Sequence, residues 1–174
     1  MQDELCPSCH QYPPHDGSFV IAVDGACSNN GRTGARAAAG VYFGKRSRCN
    51  KSFVLDPDLN PTSQVAELSA AIRTLEHALV LQAKGRRKGK EWQQVVIKAD
   101  SEYLVKGMTA WIAKWKRNGY QNCAGKPVTN GELFCRLDGL VAELEEQGVQ
   151  VQFWHVPRQY NQQANLLARR ALNR

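Results

Sequence analysis

The feature that most constrains the fold is a run of five apolar residues, 19–23, that ends directly in Asp24. The run is rich in β-branched and aromatic residues, carries no charge and has the length of one strand. Unbroken apolarity predicts a strand that is buried on both faces and therefore central in a sheet. Gly25 and residues 28–31 are typical of a loop, so we expect Asp24 at the end of this strand. Such an Asp either caps a turn or is paired, hydrogen-bonded or metal-bound, because an isolated buried carboxylate is costly.

The composition is that of one soluble globular domain: 174 residues, 43% hydrophobic and 22% charged. No apolar stretch approaches the roughly 20 residues of a membrane span, and residues 1–17 lack the regions of a signal peptide. A net charge of +7 favours a polyanionic partner. The six scattered cysteines are typical of reduced thiols. We therefore expect an intracellular protein in the nucleus or cytoplasm, and a mitochondrial location is not excluded. A monomer is expected because no stretch of the sequence is typical of an assembly surface.

Residues 1–17 are predicted to form a short tail ahead of a single domain at 18–174. The tail contains two cysteines and two histidines with a faint similarity to a zinc site: Cys6, Cys9, His10 and His15. A structural zinc site needs four ligands at defined spacing, and a second Cys/His pair is missing at any usual distance. A plain linker is favoured over a degenerate zinc finger. A zinc-binding interaction module is an alternative that elemental analysis would distinguish.

Strand and helix patterns alternate along the rest of the chain. Strands are predicted at residues 19–23, 37–44, 51–55, 94–99 and 149–156, and helices at 62–83, 101–108, from about 110, 130–147 and 161–172. Residues 84–90 are predicted to be a solvated basic loop. The basic turn at residues 45–48 joins the second and third strands, so the chain is predicted to begin as a three-stranded meander. This order of strands and helices predicts an α/β fold with a five-stranded mixed sheet and helices on both faces.

Three carboxylates fall at the boundaries of these elements: Asp24 and Asp100 follow strands, and Glu67 lies near the start of the first helix. Residues that follow strands at the carboxyl edge of a sheet are where α/β sites form. If the helix packs on the central strands, Glu67 reaches the same edge. Converging carboxylates repel one another unless cations bridge them, and oxygen ligands favour Mg²⁺ or Mn²⁺. Two such ions about 4 Å apart can activate a water and stabilise the leaving oxygen of a phosphodiester.

Four stretches resemble the catalytic domain of cellular type 1 ribonuclease H, and fungal members in particular. They are DGACSNNG at 24–31, TSQVAEL at 62–68, KADSEYLVKGM at 98–108 and the segment 111–130. The resemblance covers about residues 19–171 and implies a ribonuclease H-like fold. It also implies hydrolysis of the RNA strand of RNA–DNA hybrids with two magnesium ions held by four carboxylates, giving 5′-phosphate and 3′-hydroxyl ends. Asp24, Glu67 and Asp100 match the first three carboxylates.

The fourth position departs from the family, because Asn165 stands where its last metal-binding Asp is expected. An amide oxygen can still bind a hard cation, although it is neutral and weaker. Residues 157–161 are shorter than the family's loop and lack its histidine, which helps product leave; His155 is expected to be structural. The chain is then an endonuclease whose activity is weakened by Asn165. The alternative is a hybrid-binding protein that a natural or engineered Asp-to-Asn substitution has made inactive. An integrase-like or resolvase-like nuclease shares the fold but not the hybrid-binding positions.

The resemblance also implies which residues hold the hybrid. Asn30, Ser63 and Gln64 match positions that contact 2′-hydroxyls in the minor groove, although Ser63 also suits a helix cap. The DNA strand is expected along Trp111 and Trp115, which share a helix face. Three cations near them suit phosphates: Lys114, Lys116 and Arg117. Thr62 and Asn130 match polar positions of the family's phosphate pocket, where Cys123 replaces a serine. Animal members place an arginine where Asn60 stands, so this pocket is expected to be weaker.

Overall fold

The computed structural model describes residues 18–30, 32–89 and 91–173, so the predicted tail and its Cys/His group lie outside the described residues. The strands of the described ranges are β1 (Ser18–Ser28), β2 (Arg36–Tyr42), β3 (Lys51–Val54), β4 (Gln94–Ala99) and β5 (Gln150–His155). They form one sheet in the order β3-β2-β1-β4-β5. β1, β2 and β3 are antiparallel neighbours, whereas β1, β4 and β5 run parallel. The predicted meander and mixed sheet are confirmed.

β1 is the central strand of this sheet, as its apolar run predicts. The expectation that Asp24 ends the strand is wrong, because β1 continues to Ser28 and pairs there with Arg36 of β2. The residues after Asp24 are small enough to pair with β2 despite their preference for turns. The chain leaves the strand at Asn29, whose φ of 52° is left-handed. Asp24 is therefore a fully buried carboxylate inside a core strand.

The described helices follow the predicted order. They are α1 (Ser63–Arg86), α2 (Glu102–Lys106), α3 (Ile112–Arg117), α4 (Gly131–Glu146) and α5 (Gln162–Leu172). A π-helical turn, Gly107–Trp111, joins α2 to α3. None of the described helices is long and apolar enough to cross a bilayer.

α1 extends three residues beyond its predicted end, so part of the predicted basic loop is helical. Buried Gln82 holds this last portion, because its side chain accepts from the Trp92 N–H at 2.8 Å and donates to the Trp92 carbonyl at 3.3 Å. Arg86 donates to the Gln147 carbonyl at the end of α4 at 2.5 Å. These contacts join residues distant in sequence, and local propensity does not reveal them.

Two glycines let helices approach the sheet closely on opposite faces. A Cβ on Gly25 would lie 2.4 Å from the backbone nitrogen of Glu67 in α1. A Cβ on Gly40 would lie 2.2 Å from the Ala164 carbonyl oxygen in α5. Gly40 pairs with Asp24, the neighbour of Gly25, and successive strand residues face opposite sides of a sheet. α1 and α5 therefore sit over adjacent positions of β1 from the two faces.

Gly25→Ala is expected to lower the free energy of unfolding by about 1–3 kcal/mol, the usual cost of overpacking. The added methyl group meets the α1 backbone, which cannot move without displacing Glu67. Gly139→Ala in α4 is the matched control, because a Cβ there meets nothing within 4 Å. We expect that change to be neutral or stabilising. Urea unfolding measures both variants, and equal stability of the two would contradict the close packing of α1 on β1.

Candidate metal centre and nucleic-acid interface

The pairing register of the parallel strands brings two aspartates to one place. The last pair between β1 and β4 is Ala22 with Lys98. Asp24 lies two residues after Ala22, and Asp100 lies two residues after Lys98. The two aspartates therefore occupy matching positions just beyond the last pair. Because the strands are parallel, both carboxylates lie at the carboxyl edge, where α/β folds form their sites.

α1 supplies the third carboxylate. The Thr62 hydroxyl accepts from the Val65 N–H at 3.1 Å and caps the helix, which sets the start of α1 at Ser63. Glu67 then lies in the second turn, over Gly25 of β1. Carboxylate oxygens of Asp24, Glu67 and Asp100 all lie within 4.8 Å of one another. The structure thus brings the three predicted carboxylates together, and we call them the carboxylate cluster.

Burial and mutual repulsion raise pKa values within the carboxylate cluster. Burial raises the pKa of Asp24, and the charge of nearby Asp100 raises it further. Burial also raises the pKa of Glu67 well above its ordinary value, and Asp24 and Asp100 add to the shift. Asp24 Oδ1 and Glu67 Oε2 are buried without a hydrogen-bond partner among the described residues. Hard divalent cations favour oxygen ligands, and these two oxygens are not engaged in other hydrogen bonds. The residues therefore fit a magnesium or manganese ion.

The metal-free protein is expected to lose stability as the pH rises from mildly acidic to neutral. Folding raises the pKa of Glu67 above 4.5, chiefly through burial. The stabilisation from protonating Glu67 is therefore complete below pH 4.5 and is lost as the pH rises through the folded-state pKa. Thermal unfolding in EDTA over this pH range measures the effect, and Glu67→Gln should flatten the profile. Identical profiles for the two proteins would contradict the raised pKa.

Two asparagines approach the carboxylate cluster from the other face of the sheet: Asn165 in α5 and Asn161 directly before it. Asn165 Nδ2 donates to Asp24 Oδ2 at 2.5 Å. Asn161, which is 1% exposed, donates from Nδ2 to Asp100 Oδ1 at 2.7 Å and to the Val23 carbonyl at 2.8 Å. Asn161 thus links β1, next to Asp24, to Asp100 at the end of β4.

Sequence reasoning missed Asn161 as a site residue. Its available signal was its place four residues before Asn165, which puts the two on one helix face. Arg158 was also missed: its Nη1 lies 3.8 Å from Asp100 Oδ2. Both residues fall in the shortened segment between β5 and α5.

The predicted minor-groove residues lie together at the start of α1. Asn30 Oδ1 accepts a hydrogen bond from the Ser63 N–H at 3.3 Å, and Gln64 is the next residue and is exposed. Because Thr62 caps the helix, the alternative cap role for Ser63 is wrong. Ser63 and Gln64 precede Glu67 by about one helical turn, so a strand held by these residues passes next to the carboxylate cluster.

The tryptophan pair is partly surface and partly core. Trp111 is 36% exposed, and its ring lies 5.6 Å from that of Trp115. Trp115 is half-buried and packs at 5.0 Å on the fully buried Phe134. Trp111 therefore offers the accessible face of the predicted channel, while Trp115 anchors that face to the core.

The three predicted channel cations differ in their surroundings. Lys114 and Arg117 are exposed on α3. Lys116 Nζ lies 2.8 Å from Asp138 of α4, and this ion pair raises the pKa of Lys116. Lys116 therefore faces α4 in this structure. Cys123 is exposed in the connection between α3 and α4.

The residues matched to a phosphate pocket differ in their surroundings. Asn130 and Asn60 line a cavity of about 670 Å³ between the start of α1 and the connection from α3 to α4. Much of the remaining lining is apolar: Leu59, Val65, Tyr120, Pro127, Val128 and Leu133. The described lining contains no lysine or arginine, and Thr62 serves as the α1 cap instead. The weaker phosphate pocket expected from Asn60 stays a prediction.

Comparisons with known proteins find related sequences over most of the chain. The sequence pattern of the RNase H family matches residues 16–173. The mouse protein Ribonuclease H1 is 36% identical over 156 residues, covering 87% of this chain and 49% of that protein. Ribonuclease H of Schizosaccharomyces pombe is 33% identical over 153 residues, covering 87% of this chain and 52% of that protein. The chain thus spans about half the length of these relatives, and similar identities to the two do not favour a fungal subtype.

A solved structure shows the same fold. The crystal structure of LC11-RNase H1 in complex with RNA/DNA hybrid covers 89% of this chain and 96% of that one, with 23% identity and a TM-score of 0.64. The predicted ribonuclease H-like α/β fold is therefore confirmed. With a match from residue 16 to residue 173, the chain belongs to the RNase H family.

Proposed function

We propose that this chain hydrolyses the RNA strand of RNA–DNA hybrids and leaves 5′-phosphate and 3′-hydroxyl ends. The observation that carries this function is the carboxylate cluster, whose ligand oxygens lie within 4.8 Å of one another beside the minor-groove residues. Relatives named ribonuclease H support the activity, and the RNA/DNA hybrid bound by LC11-RNase H1 supports the substrate.

Two Mg²⁺ ions are the proposed cofactors, and Mn²⁺ is expected to replace them. The carboxylate cluster would hold them, with Asn165 as a weaker fourth ligand through its amide oxygen. Bound ions would activate a water and stabilise the leaving oxygen of the phosphodiester. The unpartnered oxygens of Asp24 and Glu67 support this assignment, because burying a carboxylate oxygen without a hydrogen bond is unfavourable.

The chain's own residues position the substrate and the cluster. Asn30, Ser63 and Gln64 would bind 2′-hydroxyls and so place the RNA strand, rather than the DNA strand, over the carboxylates. Asn161 fixes the orientation of Asp100 through its 2.7 Å hydrogen bond. Exposed cations and an aromatic face would hold the other strand: Lys114, Arg117 and Trp111.

Binding of hybrids without cleavage is the second candidate function, and the orientation of Asn165 favours it. The amide donates from Nδ2 to Asp24 at 2.5 Å, so its nitrogen, and not its oxygen, faces the cluster. To bind a cation, Asn165 has to give up this hydrogen bond and turn its oxygen inward. That requirement lowers metal affinity relative to an aspartate.

A monomeric state, an intracellular location and a fungal-like origin stay predictions.

Hybrid binding in EDTA is expected to weaken steeply as salt rises, with each phosphate contact adding about 0.9 to the slope of log affinity against log salt. A DNA duplex of the same sequence should bind more weakly because it lacks 2′-hydroxyls. Gln64→Ala should reduce this preference for the hybrid. Gln93→Ala, an equally exposed change ahead of β4, should not. Fluorescence anisotropy measures both, and a flat slope or equal affinity for the two duplexes would overturn the proposed substrate.

A further inference from the structure

A groove of about 450 Å³ runs along α5 and opens beside the carboxylate cluster. Its lining residues are Arg158, Gln159, Gln162, Asn165, Leu166 and Arg169. Gln162, Asn165 and Arg169 follow one another at helical spacing, so they form one face of α5. The described lining carries two positive charges, three side-chain amides and no carboxylate. Such a surface is suited to an anion, and its volume lies within the roughly 300–1,000 Å³ of ligand sites.

The two arginines of the groove are both exposed but differ in their partners. Arg158 is largely exposed at the mouth of the groove, and its Nη1 lies 3.8 Å from Asp100 Oδ2. Arg169 lies two turns along α5, is exposed and has no carboxylate partner among the described residues. The two guanidinium groups thus flank a path that leads away from Asn165 and the cluster.

We propose that this groove binds the phosphodiester next to the one that is cleaved, in the same RNA strand. This inference rests on the proposed function, because the carboxylate cluster defines where the cleaved phosphate lies. Guanidinium groups bind phosphate oxygens through paired, charge-assisted hydrogen bonds. The amides of Gln159 and Gln162 can donate to the same phosphate or to the adjoining ribose. The groove is then a subsite that holds the strand in place while its neighbouring linkage is hydrolysed.

Arg169→Gln and Arg170→Gln form a matched pair for the test. The two residues are adjacent, exposed and equally charged, but Arg169 lines the groove and Arg170 does not. Arg169→Gln should lower affinity for a hybrid in EDTA about tenfold, the value of one charge-assisted hydrogen bond. It should also lower the salt slope by about 0.9. Arg170→Gln should leave the slope unchanged, and KM for cleavage should rise for Arg169→Gln with kcat preserved.

Hybrids with a single uncharged methylphosphonate in the RNA strand locate the contact. A methylphosphonate at one linkage beside the cleavage point should lower the parent protein's affinity for the hybrid by the same factor as Arg169→Gln does. The same linkage should have no further effect on the Arg169→Gln protein. If no linkage couples to Arg169, or if Arg169→Gln and Arg170→Gln behave alike, the subsite is wrong while hybrid binding by the parent stands. If the parent does not bind the hybrid, the proposed function and the subsite both fail.

Discussion

Asn165→Asp is expected to raise hybrid cleavage in Mg²⁺ by about 10–100-fold, the usual scale for improving the support of a metal site. The substitution completes a set of four carboxylates and removes the amide donor that occupies Asp24 Oδ2 at 2.5 Å. A charged oxygen then faces the cations without any rotation of the side chain. Rates with a hybrid labelled in the RNA strand measure the gain.

Asn173→Asp is the matched control for this gain, because it makes the same chemical change at the exposed end of α5. It should leave the rate close to that of the parent. The added charge of Asn165→Asp should also lower Tm in EDTA, since it lies beside a buried carboxylate whose pKa is already raised. An unchanged rate together with an unchanged Tm would show that Asn165 does not belong to the metal site.

Asp24→Asn is expected to reduce cleavage by more than about 100-fold, beyond the cost of losing a merely supporting group. Asp24 is fully buried at the centre of the cluster, and no other described carboxylate can take its position in β1. The protein should stay folded, because an asparagine side chain has the same shape and can still accept from Asn165. The rate in Mg²⁺ is the readout.

Stability distinguishes this effect from simple damage to the fold. Burial raises the pKa of Asp24, so a neutral side chain should raise Tm in EDTA at neutral pH. The same substitution should remove most of the Tm increase that Mg²⁺ produces in the parent, because that increase reports binding to the folded state. Asp58→Asn, at an exposed position, should alter neither quantity. A lower Tm in EDTA for Asp24→Asn would contradict the unfavourable burial of this carboxylate.

The sequence predicted the parts of the fold that depend on local pattern. The apolar run of β1 marked the central strand, and the order of strands and helices marked a mixed sheet with helices on both faces. The carboxylates of Asp24, Glu67 and Asp100 were assigned to one edge, and the structure brings them together. These predictions succeeded because periodicity and strand order determine which side chains reach the carboxyl edge.

The parts that failed depend on contacts between distant residues. β1 extends past Asp24 because β2 pairs with its small residues, although their types favour a turn. Asn161 bonds to Val23, 138 positions away, which local pattern does not show. The break between α2 and α3 is a π-helical turn with Gly107 seated against Phe134, where a Cβ would lie 2.2 Å from that ring. Lys116 similarly faces Asp138 only because α4 packs nearby.

The most direct test of the account is cleavage of an RNA–DNA hybrid labelled in its RNA strand, by the parent and Asp100→Asn proteins purified in parallel. We predict that the parent cuts the RNA in Mg²⁺ but not in EDTA, and that Asp100→Asn cuts in neither. The products should carry 5′-phosphate and 3′-hydroxyl ends. Equal cleavage by the two proteins, or cleavage that persists in EDTA, would contradict a metal-dependent nuclease centred on the carboxylate cluster.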